Sequence, residues 1–176
     1  MANYKELIPF ILRWEGGSAV VPGDRGGATN RGVTIATFRL VYGQDKTVTD
    51  LRRMTDAQWE HIFLSLFWHK FRGDEIQSQS VANACVDWAW NSGISLVIRR
   101  VQRLVGVKDD GVVGPVTLAA INSSDAKTLF TRIKRARVEF LEGIVRGVPS
   151  QKKFLKGWLN RVNELKFEDI EQDNIE

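Results

Sequence analysis

Glu15 and Asp24 are the side chains of this 176-residue chain whose types and spacing best suit chemistry. Glu15 stands four residues after Ile11 and seven after Ile8, on the apolar stripe of a predicted helix. A carboxyl on that stripe loses hydration, which disfavours its charged form. The C-terminal end of a helix also carries partial negative charge, with the same effect. A neutral carboxyl beside a loop is what a glycosidase uses to protonate a leaving oxygen. Asp24 follows nine residues later in a glycine-rich segment, where exposure favours the ionised form. A protonated Glu opposite an ionised Asp is the two-carboxylate arrangement of glycoside hydrolysis. Thr29, five residues beyond Asp24, can hold a water or a sugar hydroxyl, and Asn30 is a candidate for substrate binding. Each has a plainer reading: Glu15 as a helix-end partner of Arg13 or Arg25, Asp24 as a turn former after Gly23, Thr29 as a turn cap.

Other reactive side chains are few. Cys85 is the single cysteine, so no disulfide closes within the chain; it reads as a small buried residue of a helix. His61 and His69 fit no common zinc spacing, so neither a metal site nor a cofactor is expected. There are six tryptophans, whose rings can stack on sugars or fill a core. Trp14 and Trp59 read as core. Trp88 and Trp90 cannot share one helix face, so one of them is free to face a cleft. Asp87, Trp90 and Asn91 join Asn30 as candidate substrate-binding residues.

The elements that must position these groups are mainly helical. Residues 4–15 form an amphipathic helix with Pro9 inside it, ended by Gly16 and Gly17. Residues 16–35 read as loops with a short β-hairpin. Thr34 is placed to cap the next helix. Thr55 and Gln58 make a capping-box pattern before Trp59, Ile62 and Phe63. Further helices are expected from about 80 to 91, from 94 to a stop at Gly106, from Pro115 to Ile121, over about 125–146 and over about 150–165. The expected fold is mainly α, an α+β helical bundle with a small N-terminal β-hairpin lining a cleft. Its halves, 1–91 and 92–176, are expected to pack as one compact unit, since no linker-like composition separates them.

Apolar residues make up 43% and charged residues 26% of the chain, an ordinary globular balance. No apolar run is long enough to span a membrane. The N-terminus does not read as a signal peptide, because Glu6, Pro9 and Arg13 interrupt it. From Arg99 to Arg161 basic residues outnumber acidic ones roughly three to one. That half suits a polyanionic partner, with Arg132, Lys134, Arg135 and Arg137 as candidate contacts, or is a solvated helix face.

The segment RWEGGSAVVPGDRGGATNRGVT, residues 13–34, resembles the signature of glycoside hydrolase family 108, the lysozyme-like N-acetylmuramidases of endolysin type. The resemblance implies that the Glu before the two glycines, Glu15, is catalytic. The order Glu15, Asp24, Thr29 is similar to the catalytic triad of phage lysozymes, with a gap between Asp and Thr one residue shorter than usual there. DWAWNSG, VQRLVGVKDDGVVGPVTLAAI and FLKGWLNRV resemble the C-terminal half of the same proteins, described as a predicted peptidoglycan-binding domain. Some relatives carry the label secretion activator. The resemblance thus implies a peptidoglycan hydrolase cutting between N-acetylmuramic acid and N-acetylglucosamine. Its expected partner is peptidoglycan rather than nucleic acid, and the expected state is a monomer. It would be made in the cytoplasm and act on the periplasmic or external wall after release or specialised export. The competing readings are a lytic transglycosylase, which needs one Glu, and a non-catalytic wall-binding or nucleic-acid-binding helical protein.

Overall fold

A computed structural model describes residues 1–19 and 27–168. The chain divides into two compact units, residues 4–69 and residues 1–3 with 70–176. This spatial division falls at 69–70, inside the expected first half. Helix α5 (Gln79–Ser92) lies with the C-terminal helices because it packs on α6 (Ile94–Val105) and α8 (Ala126–Gly147).

The unit of residues 4–69 opens with α1 (Tyr4–Glu15), which runs through Pro9 and buries Leu7 and Ile11. Three two-residue strands follow: β1 (Ser18–Ala19), β2 (Thr29–Asn30) and β3 (Val33–Thr34). They form an antiparallel sheet in the order β1-β2-β3, one strand more than the expected hairpin. Thr34 then caps α2 (Ile35–Tyr42), its hydroxyl accepting from the Thr37 N–H at 3.1 Å. Two capping boxes start the next helices. Thr47 and Asp50 open α3 (Val48–Arg52), and Thr55 and Gln58 open α4 (Asp56–Phe63). Only the second was expected. The core of this unit holds Phe38, Leu51, Trp59, Ile62, Phe63 and Trp68, with Trp59 stacked on Phe63 at 5.5 Å. Tyr4 ties the start of α1 to this cluster, donating to Glu60 at 3.1 Å and meeting Trp68 edge-on.

In the other unit, Ser78 caps α5, whose face from Val81 to Ala89 is almost wholly buried and includes Cys85. Burial pushes the Cys85 thiol up to about 12. Gly106, in left-handed geometry, ends α6. Pro115 opens α7 (Pro115–Ser123), as its spacing predicts. Asp125 caps α8, and α9 (Lys152–Glu164) closes the bundle against it. The loop between α6 and α7 is organised by Gln102, a fully buried polar residue of α6. The two hydrogens of its amide nitrogen are shared among Asp110 at 2.9 Å, the Val112 carbonyl at 2.9 Å and Thr117 at 3.1 Å. Its amide oxygen accepts the Gly111 N–H at 2.9 Å. The DG turn is thus held by one side chain.

Removing Gln102 strands several of these groups, at about 1–3 kcal/mol for a buried orphan. Gln102→Leu is expected to lower the urea midpoint of this unit by an amount worth about 2 kcal/mol. The hydrogen bonds from Gln102 and from the Val112 N–H hold the Asp110 carboxyl below its ordinary value of 3.8. A depressed carboxylate stabilises the fold above its unfolded value and ceases to do so as pH falls below it. Wild-type stability should therefore fall on acidification below about pH 4, and less steeply in Gln102→Leu, as read from urea midpoints across pH.

Candidate active site

Glu15 is the last residue of α1 and is half-buried, one turn beyond Ile11 on the buried stripe. Gly16 ends the helix with φ of +63°, and its N–H bonds to the Leu12 carbonyl at 3.2 Å. A Cβ at Gly16 would meet nothing within 4 Å, so the backbone angle and not crowding calls for glycine there. Three residues after Glu15 the chain becomes β1. Its register places Ser18 opposite Asn30 and Ala19 opposite Thr29. Glu15, Thr29 and Asn30 are therefore brought to one region by a helix, a two-glycine turn and a strand pair. Asp24 lies outside the described residues.

β2 and β3 are joined by Arg31 and Gly32, both at positive φ (47° and 82°). Two such residues in a two-residue loop give the turn whose twist suits a hairpin, but arginine is an uncommon first member. Its neighbours compensate. The Arg31 carbonyl accepts the indole N–H of Trp59 at 2.9 Å. Its guanidinium donates to Asp56 at 2.6 Å and to the Met54 carbonyl at 2.8 Å. Asn30, expected to contact substrate, is buried instead, and its amide nitrogen donates to the Leu51 and Arg52 carbonyls at 2.9 and 3.3 Å. These are carbonyls of the last turn of α3, and that of Leu51 also accepts the Met54 N–H at 3.1 Å. Asn30 thus fastens the sheet to α3, a role that corrects its assignment as a sugar contact. Thr29 is half-buried on β2, opposite Thr34 as well as Ala19. Arg31 is the residue that sequence reasoning missed; the one local signal was the Asn-Arg-Gly turn.

Asp87, Trp90 and Asn91 belong to the other compact unit. Asp87 is 0% exposed, so it does not meet substrate. One oxygen accepts from Arg137 at 2.7 Å and the other from Arg161 at 2.7 Å. Arg137 also donates to Asn91 at 2.8 Å, joining residues one turn apart on α5. The cluster crosslinks α5, α8 and α9. Burial pulls the Arg137 guanidinium below its ordinary value, and the adjacent Asp87 charge opposes that shift. Trp88 is fully buried and Trp90 half-buried, so of that pair Trp90 is the less buried one. Trp14, expected in the core, is half-buried.

The proposed basic contacts also divide. Arg137 is committed to Asp87, and Lys134 donates to the Leu165 carbonyl at 2.8 Å. Desolvation, with Lys166 and Arg137 nearby, lowers the Lys134 ammonium from its ordinary value. Arg132 and Arg135 remain on the exposed side of α8. Among the described residues no group of acidic, histidine and cysteine side chains could hold a metal ion. No helix among them is long and apolar enough to cross a membrane.

A carboxylate at the end of a first helix that turns at once into a small antiparallel sheet, in a chain otherwise helical, is a lysozyme-like α+β arrangement. Residues 8–93 match the family model described as Glycosyl hydrolase 108, and residues 97–163 match one described as Predicted Peptidoglycan domain. The solved structure of SagA from Brucella abortus is similar to this chain at 31% identity and a TM-score of 0.82, over 92% of this chain and 90% of that one. None of the curated proteins matches the chain. The chain belongs to the glycosyl hydrolase 108 family. It is a lysozyme-like glycoside hydrolase of peptidoglycan, an N-acetylmuramidase.

The role found for Asp87 has a direct check. Removing one partner of a buried ion pair leaves uncompensated charge and costs about 3–5 kcal/mol. Asp87→Ala should lower the melting temperature sharply, whereas a sugar contact would raise KM with the melt unchanged. Calorimetry beside turnover assays separates the two.

Proposed function

We propose that Glu15 is the general acid of this muramidase. The observation that carries the reading is its place as the half-buried last residue of α1, at the turn into the sheet. The family resemblance points to the same carboxylate, the Glu before two glycines. In this reading Glu15 gives its proton to the glycosidic oxygen between N-acetylmuramic acid and N-acetylglucosamine as the bond to the anomeric carbon breaks. A water adds to that carbon and releases its own proton, leaving a reducing muramic acid end. We assign to Asp24 the activation of that water, or the stabilisation of charge on the sugar, from its spacing after Glu15. Thr29, on β2 beside the strand that follows Glu15, is assigned to hold the water or a sugar hydroxyl. Trp90 and Asn91 are assigned to sugar contacts, as a half-buried ring and an exposed amide. We assign the enzyme's site of action to the periplasmic or external wall, where such a substrate lies.

Losing the acid costs on the order of a hundredfold or more in rate. Glu15→Gln should keep the wild-type melt and lose the clearing of a wall suspension by at least that factor. Clearing near the wild-type rate would sink the assignment. For Asp24, the variant Asp24→Asn should lower kcat more than it weakens binding. Digestion in heavy-oxygen water should place the label on the reducing muramic acid ends. Unlabelled 1,6-anhydromuramic products would mean that the sugar's own hydroxyl attacks, and that Asp24 has no water to activate.

A further inference from the structure

Away from Glu15, α9 carries a surface that neither the catalytic reading nor the core explains. Phe154 is 46% exposed, an unusual state for a phenylalanine. Trp158, one helical turn on, is half-buried and lies against it, with ring centroids 6.0 Å apart and planes 26° from parallel. Four residues of helix rise by about 6 Å, so the two rings run side by side along the helix surface. The Lys153 ammonium stands 5.0 Å from the Phe154 ring centre, which puts a cation directly beside the apolar ring.

Two further observations bear on what this surface meets. From residue 143 to residue 163 there is no Asp or Glu, while Arg146, Lys152, Lys153 and Lys156 are all exposed. The remaining cation of the stretch, Arg161, is buried on Asp87. The first three turns of α9 therefore carry exposed cations and no carboxylate; the helix's own Glu164 stands at its far end. Between the two rings in sequence stands Gly157, inside the helix, where glycine costs about 0.5–1 kcal/mol relative to alanine. A Cβ there would meet nothing within 4 Å, so packing gives no reason for glycine. Its effect is to keep a side chain from standing over the strip beside the rings.

We infer that the Phe154–Trp158 pair with Lys152, Lys153 and Lys156 forms a second contact site for the peptidoglycan strand, taking the apolar face of a sugar together with the carboxylates of its stem peptides. The inference rests on the peptidoglycan reading of the chain and adds to it the residues that hold the wall. Sugar rings present apolar faces to aromatic rings. Stem-peptide carboxylates recur along the same strand and match lysines one turn apart. An anionic lipid surface fits less well. A helix lying in a bilayer interface buries a continuous apolar face, and the apolar face of α9, with Val162 fully buried, is already packed against α8. What α9 leaves outside is the Phe154 ring and the half-buried Trp158, among lysines.

The test is pelleting of the full chain with purified, insoluble peptidoglycan on ice, beside vesicles containing anionic phospholipid. Wild type should pellet with peptidoglycan, less so as salt rises. Phe154→Ala should weaken that binding about tenfold, and Phe154→Tyr should restore it. Lys153→Glu with Lys156→Glu should remove most of the salt dependence. Peptidoglycan whose carboxylates have been converted to amides should bind wild type as weakly as it binds that double variant. Melting curves confirm that each variant is folded, and Phe154→Tyr tests the ring even if Phe154→Ala is not. The inference is overturned if Phe154→Ala pellets like wild type, or if amidated peptidoglycan binds undiminished. It is overturned equally if the substitutions abolish vesicle binding and leave peptidoglycan binding intact. Clearing of the same material by wild type reports the muramidase reading separately: clearing without an effect at Phe154 removes the second site alone, and no clearing removes the catalytic reading while pelleting still reports on α9.

Discussion

A sheet made of three two-residue strands has too few ladder hydrogen bonds to stand by itself. Its shape here is set at Arg31, whose left-handed backbone is costly for a residue with a side chain. The same residue brings the means of holding that conformation. Its carbonyl is taken by the indole of Trp59, and its guanidinium by Asp56 and the Met54 carbonyl, all from α4 and the residues leading into it. Asn30 adds two bonds to the end of α3. At about 1 kcal/mol net for each hydrogen bond, this set outweighs the strain of one positive-φ residue. The sheet is thus an appendage of α3 and α4, and β1 takes its place by pairing with β2. Since β1 begins three residues after Glu15, the anchoring at Arg31 reaches the carboxylate proposed as the acid through backbone register and a two-glycine turn.

The C-terminal unit rests on a different kind of constraint. Asp87 without solvent would be prohibitive as an isolated charge. Two guanidiniums answer it, one from α8 and one from α9, and the geometry leaves each carboxylate oxygen a close donor. Such a cluster adds less net stability than an apolar core of the same volume would. What it does fix is angle and register: a helix rotated by one residue would bury an unpaired charge. Gln102 acts in the same way on a smaller scale, because its four partners accept only one arrangement of the loop between α6 and α7.

Much of this was legible from periodicity and punctuation. The extent of α1, the caps at Thr34 and Thr55, the stop at Gly106 and the start at Pro115 are local events, decided by residues within a turn of each other. The five-residue α3 was not, because its capping box at Thr47 precedes a helix too short to show a period. The place of Glu15 on its helix was readable for the same local reason. The roles of Asn30 and Asp87 were not. A polar residue next to a motif looks the same in a sequence whether it faces a ligand or a helix end, and the partners that decide it are 21 residues away for Asn30 and 50 and 74 for Asp87.

The cations show most clearly why composition reaches only part of the way. Counting from Arg99 to Arg161 predicts a basic surface, and treats each charge as equal. In the fold they separate by burial. Arg137 and Arg161 neutralise Asp87, and Lys134 spends a donor on a backbone carbonyl, so none of the three contributes freely to the outer field. The charges that do project are those with water around them, and screening then limits their reach to about 8 Å at physiological ionic strength. Over so short a distance it is the spacing of neighbouring cations, and not net charge, that a polymer senses. Lys152, Lys153 and Lys156 lie within about one and a half turns of one another, with no carboxylate between them and an exposed ring in their midst. Among the described residues, α9 exposes Lys152, Lys153 and Lys156 together, whereas the TRIKRAR segment of α8, where the sequence is most basic, keeps only Arg132 and Arg135 fully exposed.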